Sequence, residues 1–158
     1  MSLDSPSFSS TDPSSFRFGV VSSLFNESLV NALLERVIEV IQEKGKPHEL
    51  VQEKVPGSNE IPVALGLLLE KKSFSCLLGL GVVIKGSTSH HHLVAESAGH
   101  AIQNLALKYN TPIINGIIVT EDLKTAEERI VGPIDRGREF ALAALHMAGL
   151  KEKWTKIL

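Results

Sequence analysis

The nine residues Cys76-Leu77-Leu78-Gly79-Leu80-Gly81-Val82-Val83-Ile84 contain no charged or amide side chain. The run is far too short to cross a bilayer, which takes about 20 apolar residues in a helix. It shows no in/out alternation, so a strand made from it is apolar on both faces. Such strands lie in the middle of parallel sheets with helices packed on each side. The rest of the chain therefore has to supply crossover helices, and it does.

Residues 18–23 read as a short apolar strand. Asn26 stands where a helix cap is expected, with Glu27 in the first turn. Leu29, Val30, Leu33, Leu34, Val37, Ile38 and Ile41 recur at three- and four-residue spacing, one face of a helix that Gly45 stops. Residues 49–55 form a second strand ending at the turn Pro56-Gly57, and Ser58 or Asn59 caps a helix to about Lys71. That helix is apolar nearly all round, which predicts cover on most sides. After the central strand, Gly86 breaks the chain and Ser87, Thr88 or Ser89 caps a helix to about Lys108, with a buried stripe of Val94, Ala98, Ala101, Ile102 and Leu105. Residues 112–119 are the fourth strand. Thr120 caps a short helix ended by Gly132-Pro133, and Asp135 caps a last helix with Phe140, Ala144 and Met147 facing inward and Gly149 beyond it. Alternating strands and helices give a parallel sheet with helices on both faces, and ligands in such folds sit at the carboxyl ends of the strands.

The chain has 158 residues, enough for one core without staples. Residues 1–15, rich in Ser with Pro6 and Pro13, read as a flexible arm that either stays disordered or orders against a neighbouring subunit; residues 16–158 read as one domain. Sixteen Lys and Arg against eighteen Asp and Glu give a net charge of -2, with no basic excess to suggest a nucleic-acid partner. No secretory signal, transit peptide or membrane span is read, so a cytoplasmic location is expected. The single cysteine, Cys76, excludes an intrachain disulfide and lies in the apolar run, as a small buried residue does.

The chemistry concentrates at strand ends. Lys85, Gly86, Ser87, Thr88 and Ser89 join the buried strand to a helix start, where free amides, hydroxyls and a lysine favour an anion. The same residues also suit an ordinary cap with nothing bound. The order G-x-x-x-x-G-K-S/T of a nucleotide loop is missing. His90 follows at once; it is either solvated or, as a neutral imidazole beside an anion, a proton shuttle. Glu60 is a solvated first-turn acid or an acceptor for a polyol. Phe25 is a core residue or a platform for a flat ring. Arg129 is a cation favoured by a helix end or a fork for phosphate. His92, Glu96 and His100 share one helix face at i, i+4 and i+8; a solvated face is the better reading, and no metal is expected.

Together these segments resemble the 6,7-dimethyl-8-ribityllumazine synthase family over roughly residues 17–150. Val55-Pro56-Gly57-Ser58-Asn59-Glu60-Ile61-Pro62 is similar to the family's VPGSWEIP. Residues 81–90 match its G-V-x-I-K/R-G-x-T-x-H stretch, and Phe25-Asn26 matches its first strand end. Glu127-Glu128-Arg129 matches its arginine-bearing segment, and residues 144–150 resemble its terminal helix. The resemblance implies a flavodoxin-like three-layer α/β/α sandwich with a four-stranded parallel sheet and an N-terminal arm that adds a strand to a neighbour. It implies an enzyme of the transferase class in riboflavin biosynthesis. The reaction joins 5-amino-6-(D-ribitylamino)uracil to 3,4-dihydroxy-2-butanone 4-phosphate, with loss of phosphate and water and without cofactor or metal. The alternative is a non-catalytic flavin- or lumazine-binding oligomer on the same fold.

By the same resemblance, Phe25 stacks on the pyrimidine, Glu60 holds the ribityl chain with Ser58, and the backbone of Val83 and Ile84 meets the uracil edge. Ser87, Thr88 and Arg129 take the phosphate, and His90 moves protons. The implied partners are these two substrates, four further copies of the chain in a pentamer, and riboflavin synthase. Four departures stand out. Asn59 replaces the family's usual Trp beside the ribityl site. His91 and His92 replace an aromatic and an acid. Asn115 stands where many members bring an aromatic or aliphatic residue onto the neighbour's pyrimidine. After Arg129, the sequence Ile130-Val131-Gly132-Pro133-Ile134-Asp135-Arg136-Gly137 replaces a glycine- and lysine-rich segment, with Arg136 standing in for a basic residue. The changed turn favours free pentamers or a pentamer pair over a sixty-subunit shell.

Overall fold

A computed structural model describes residues 6–88 and 90–156. The first five residues of the arm and Ser89, one of the three expected caps, lie outside the described residues. Four parallel strands, β1 (Arg17–Ser23), β2 (Glu49–Val55), β3 (Cys76–Ile84) and β4 (Ile113–Thr120), form one sheet in the order β2-β1-β3-β4. Three helices connect them, α1 (Glu27–Glu43), α2 (Ile61–Lys71) and α3 (His90–Tyr109), and two follow β4, α4 (Leu123–Ile130) and α5 (Arg136–Thr155). The result is the three-layer α/β/α sandwich of flavodoxin-like type expected from the sequence.

The run Cys76–Ile84 is central, between β1 and β4. Successive residues alternate between two cores. Val20, Leu78 and Leu80 pack with α1, α4 and α5; Val21 and Leu77 pack with α2 and α3. Two glycines set how closely α2 approaches. A Cβ on Gly79 would lie 2.7 Å from Ile61 Cγ2, and one on Gly81 would lie 2.3 Å from Ser58 Oγ. Their bare backbone lets the turn before α2 rest directly on β3.

Several local expectations change. Asn26 sits at the start of α1 in a left-handed conformation, φ 57°, and its side chain makes no cap bond. Its Nδ2 instead donates to the Val82 carbonyl at 2.8 Å, tying the end of β1 to β3. Neither Ser58 nor Asn59 caps α2; they form a 3₁₀ turn, Ser58–Glu60, that leads into it. Asp122, not Thr120, caps α4: its carboxylate accepts from the Thr125 amide at 2.7 Å, while the Thr120 hydroxyl donates to the Asp122 carbonyl. A carboxylate suits the positive helix end better than a hydroxyl, and hydrogen bonds from the amide and side chain of Thr125 hold the Asp122 carboxyl below its usual range. The last helix runs on through Gly149 to Thr155. Gly149 lies where a Cβ would meet Thr11 of the arm at 3.4 Å, and two residues on Lys151 turns back to donate to the Phe74 carbonyl at 2.7 Å. The Asp135 cap is as expected, accepting from the Arg138 amide.

The described residues do not supply all the cover expected for α2. Ile61, Leu65 and Leu69 are buried, but Val63 and Leu67 are 63% and 60% exposed. A sheet can bury only one stripe of a helix that is apolar all round. On α3, Ala98 and Ile102 are buried as expected, Val94, Ala101 and Leu105 only partly, and Leu93 and Leu107 are exposed. Arm residues 6–15 form neither helix nor strand; Phe8 rests against His146, ring centroids 4.9 Å apart.

Candidate functional site

The strand order switches sides at β1: β2 lies to one side of it and β3 to the other, while all run parallel. The crevice beyond the carboxyl ends of such a strand pair is the natural ligand site of a parallel sheet. Here it is a cleft of about 580 Å³. Pairing of β1 with β3 ends at Ser22 and Leu80, so β3 runs on without that neighbour. Its odd-numbered residues turn their backbone to β4, as the Leu77 amide to Pro112 and the Lys85 amide to Thr120 show. The even-numbered ones turn toward β1, as the Val82 carbonyl does to Asn26. Ile84 thus presents its amide and carbonyl on the open side, while Val83 presents its backbone to β4. Both residues line the cleft.

The opposite wall is the segment Val55 to Glu60. The amides of Leu24 and Phe25 donate to the Val55 and Pro56 carbonyls, which pins the end of β1 to the end of β2. Phe25 is left 72% exposed, with its ring over Gly57. A Cβ on Gly57 would lie 3.0 Å from Glu60 Oε2 and 3.3 Å from Phe25 Cδ2. That glycine therefore provides space for an aromatic face and a carboxylate to stand side by side. Its φ of -142° is ordinary extended backbone. Asn59 is exposed on this wall, and Ser58 is buried with its hydroxyl over Gly81.

His90, exposed at the start of α3, faces the same cleft. Ser87 and Thr88 precede it and are also exposed. Lys85 does not add its charge to this loop. Its ammonium donates to Glu121 Oε2 at 2.7 Å and holds that carboxyl below its usual range. Of the three consecutive histidines only His91 is buried, at 6% exposure. His92, Glu96 and His100 are all exposed. Among the described residues, no group of three or more His, Cys, Asp or Glu side chains is placed to hold a metal ion.

Arg129 and Asn115 are elsewhere. They line a separate cavity of about 220 Å³ on the β4 side, together with Arg136, Phe140 and β4 side chains. None of the cleft residues lines it. Arg129 is half-buried, and its Nη1 reaches the Thr125 carbonyl one turn back, at 3.4 Å. Arg136 pairs with Glu139. Asn115 Oδ1 accepts from the Ile117 amide at 3.1 Å. The sequence reading missed three groups of the cleft. Asn26 acts as a strut rather than a cap. Leu93, Val94 and Ser97 form its α3 wall; their spacing from His90 at i+3, i+4 and i+7 was visible, but Val94 read as core. The floor at Val82 read only as strand.

In chemical terms the cleft offers a flat apolar ring, a carboxylate acceptor, open strand backbone and an imidazole at a helix start. It suits a planar polar heterocycle with a hydroxylated chain, and it can move a proton. The second cavity offers the Arg129 guanidinium, beside the Arg136–Glu139 pair, for an anion.

The family model for 6,7-dimethyl-8-ribityllumazine synthase matches residues 15–152. A protein of that name from Polaromonas sp. (strain JS666 / ATCC BAA-500) is 39% identical over 143 residues, covering 90% of this chain and 91% of that protein. Proteins of the same name from Burkholderia mallei (strain SAVP1) and Burkholderia pseudomallei (strain K96243) are each 40% identical over 135 residues, 85% of this chain and 76% of theirs.

Proposed function

This chain belongs to the 6,7-dimethyl-8-ribityllumazine synthase family, and from that premise we propose that it condenses 5-amino-6-(D-ribitylamino)uracil with 3,4-dihydroxy-2-butanone 4-phosphate. The observation that carries this reading is the convergence of Phe25, Glu60 and His90 on one cleft. Phe25 stacks on the pyrimidine, and Ile84 meets its polar edge with backbone groups beside Val83. Glu60, with Ser58 and Asn59 on the same wall, receives the ribityl chain. His90 transfers protons as the 5-amino group attacks the ketone and water departs to form the imine. Phosphate then leaves by elimination, and the ribityl-bearing nitrogen attacks the remaining carbonyl, closing the second ring with loss of a second water. No step requires a redox change.

Arg129 supplies the phosphate clamp from an adjacent copy. Its cavity and the cleft are separate within one chain, which supports a site shared between subunits, with Asn115 of the same copy approaching the pyrimidine. Exposed Val63, Leu67, Leu93 and Leu107 provide apolar surface for that contact. A closed ring of five follows from the family resemblance, with the arm adding a strand to the neighbour's exposed edge β2. Light scattering tests this: a pentamer or pentamer pair is expected, and a stable monomer contradicts it. Association with riboflavin synthase rests on the same resemblance. A cytoplasmic location fits a single cysteine, Cys76, buried as a free thiol.

The test of the activity is absorbance on mixing the two substrates with the protein. Lumazine formation faster than the uncatalysed condensation is expected. Tight flavin binding without turnover would overturn the enzyme reading.

A further inference from the structure

His91 is spent on something other than the reaction. Its ring is 6% exposed, packed at 4.0 Å between centroids against His92. Nδ1 lies 3.1 Å from the Thr88 carbonyl, while Nε2 is buried without a hydrogen-bond partner among the described residues. A carbonyl oxygen can only accept, so it is Nδ1 that carries a proton in this bond. The bond spans from the first turn of α3 back to Thr88 and encloses His90 between its ends.

We propose that His91 is a positioning residue: its Nδ1–H···O=C bond to Thr88 sets the loop that presents the Thr88 hydroxyl to phosphate and His90 to the substrate. This rests on the functional reading above. Polar burial is costly when half of the group's hydrogen-bonding capacity goes unmet. An apolar ring would fill the same space without that cost, so the imidazole's contribution is the bond. Lys85 and Glu121 are paired with each other across the neighbouring strand end. The loop is otherwise held at its start, where the Lys85 amide donates to the Thr120 carbonyl at 2.9 Å.

The experiment compares His91→Phe with His91→Asn in the full-length oligomer. Phe fills the space and cannot donate; the Asn Nδ2 can stand near the position of Nδ1. His91→Phe should raise KM for the phosphorylated substrate about fivefold, the worth of one ordinary hydrogen bond. KM for the pyrimidine should hold, and His91→Asn should recover most of the loss. Wild-type kinetics in His91→Phe, an equal rise in both KM values, or no recovery in His91→Asn would overturn the proposal. Ring ¹⁵N spectra of the wild-type protein give a readout that does not depend on turnover or on the variants folding. The Nδ1–H tautomer at His91 supports the bond, and the Nε2–H tautomer overturns it. If the wild-type protein forms no lumazine, the functional reading fails, and the tautomer still decides the bond.

Discussion

The two faces of the sheet are finished to different degrees. Under α1, α4 and α5, Val30, Leu33, Val37, Val40 and Ile41 are fully buried, and so are Ala141 and Ala144. Over α2 and α3, Leu67 and Leu107 remain 60% and 67% exposed. Helix α1 is closed within one chain, although α4 and α5 leave Leu123 and Trp154 exposed, and α2 and α3 have apolar surface to spare. The candidate site residues divide between the same two faces. Glu60 and His90 enter the cleft from the α2 and α3 side, whereas Arg129 belongs to α4 and a separate cavity. On the proposed reading, folding and function close at different levels, one in the chain and the other between copies.

The largest effect expected on the cleft side is from His90→Ala. Loss of a general acid or base costs about 10²–10⁴-fold in rate, above a floor set by spontaneous condensation. Since His90 is exposed, the melting temperature should not move; stopped-flow absorbance and calorimetry check both halves. The same truncation on each face sharpens the contrast. Leu33→Ala, in the closed core, should cost about 2–5 kcal/mol of unfolding free energy. Leu67→Ala, on the open face, should stay within about 0.5 kcal/mol yet shift light scattering toward smaller particles. Equal destabilisation by the two would break the comparison.

Arg129→Ala should raise KM for the phosphorylated substrate about 10- to 100-fold, as for loss of a charge-assisted bond. The pyrimidine carries no phosphate, so its KM should be unchanged; equal weakening of both would make Arg129 structural. The smallest effect belongs to the closed face. Arg36 holds the Asp135 carboxyl below its usual range through bonds of 2.7 and 3.0 Å. A depressed folded-state pKa gives stability that is whole above the unfolded value, about 3.9, and is lost as pH falls through the folded one. Asp135→Asn, which keeps a cap on α5, should therefore flatten the acid side of the stability curve and leave activity at neutral pH intact.

Much of this was legible in the residues. A run apolar on both faces has to be central, and its flanking periodicities name the helices. Phe25, Glu60 and His90 each follow a strand, so a parallel sheet gathers them at one end. Local bonds that cross the fold were not legible. Asn26 has the sequence signature of a cap, and only the approach of Val82 shows that its amide is used elsewhere. Thr120 and Asp122 are both good caps; the turn geometry chose the carboxylate. The exposure of Val63 and Leu67 was hidden for a different reason, since a helix apolar all round looks the same whether its cover comes from its own chain or a neighbour's.

The central claim, that one copy's cleft works with another copy's Arg129, can be tested by mixing two impaired proteins and assaying them with the phosphorylated substrate far below the KM of Arg129→Ala. His90→Ala spoils the cleft and keeps Arg129; Arg129→Ala does the reverse. Subunits are unfolded together, reassembled in equal amounts, and assayed for lumazine formation. In a ring with one cleft per heterologous contact, random mixing restores about a quarter of the sites, so activity should rise to about that share of the wild-type rate. Activity no greater than the average of the two separate variants would place the whole site within one chain and contradict the account.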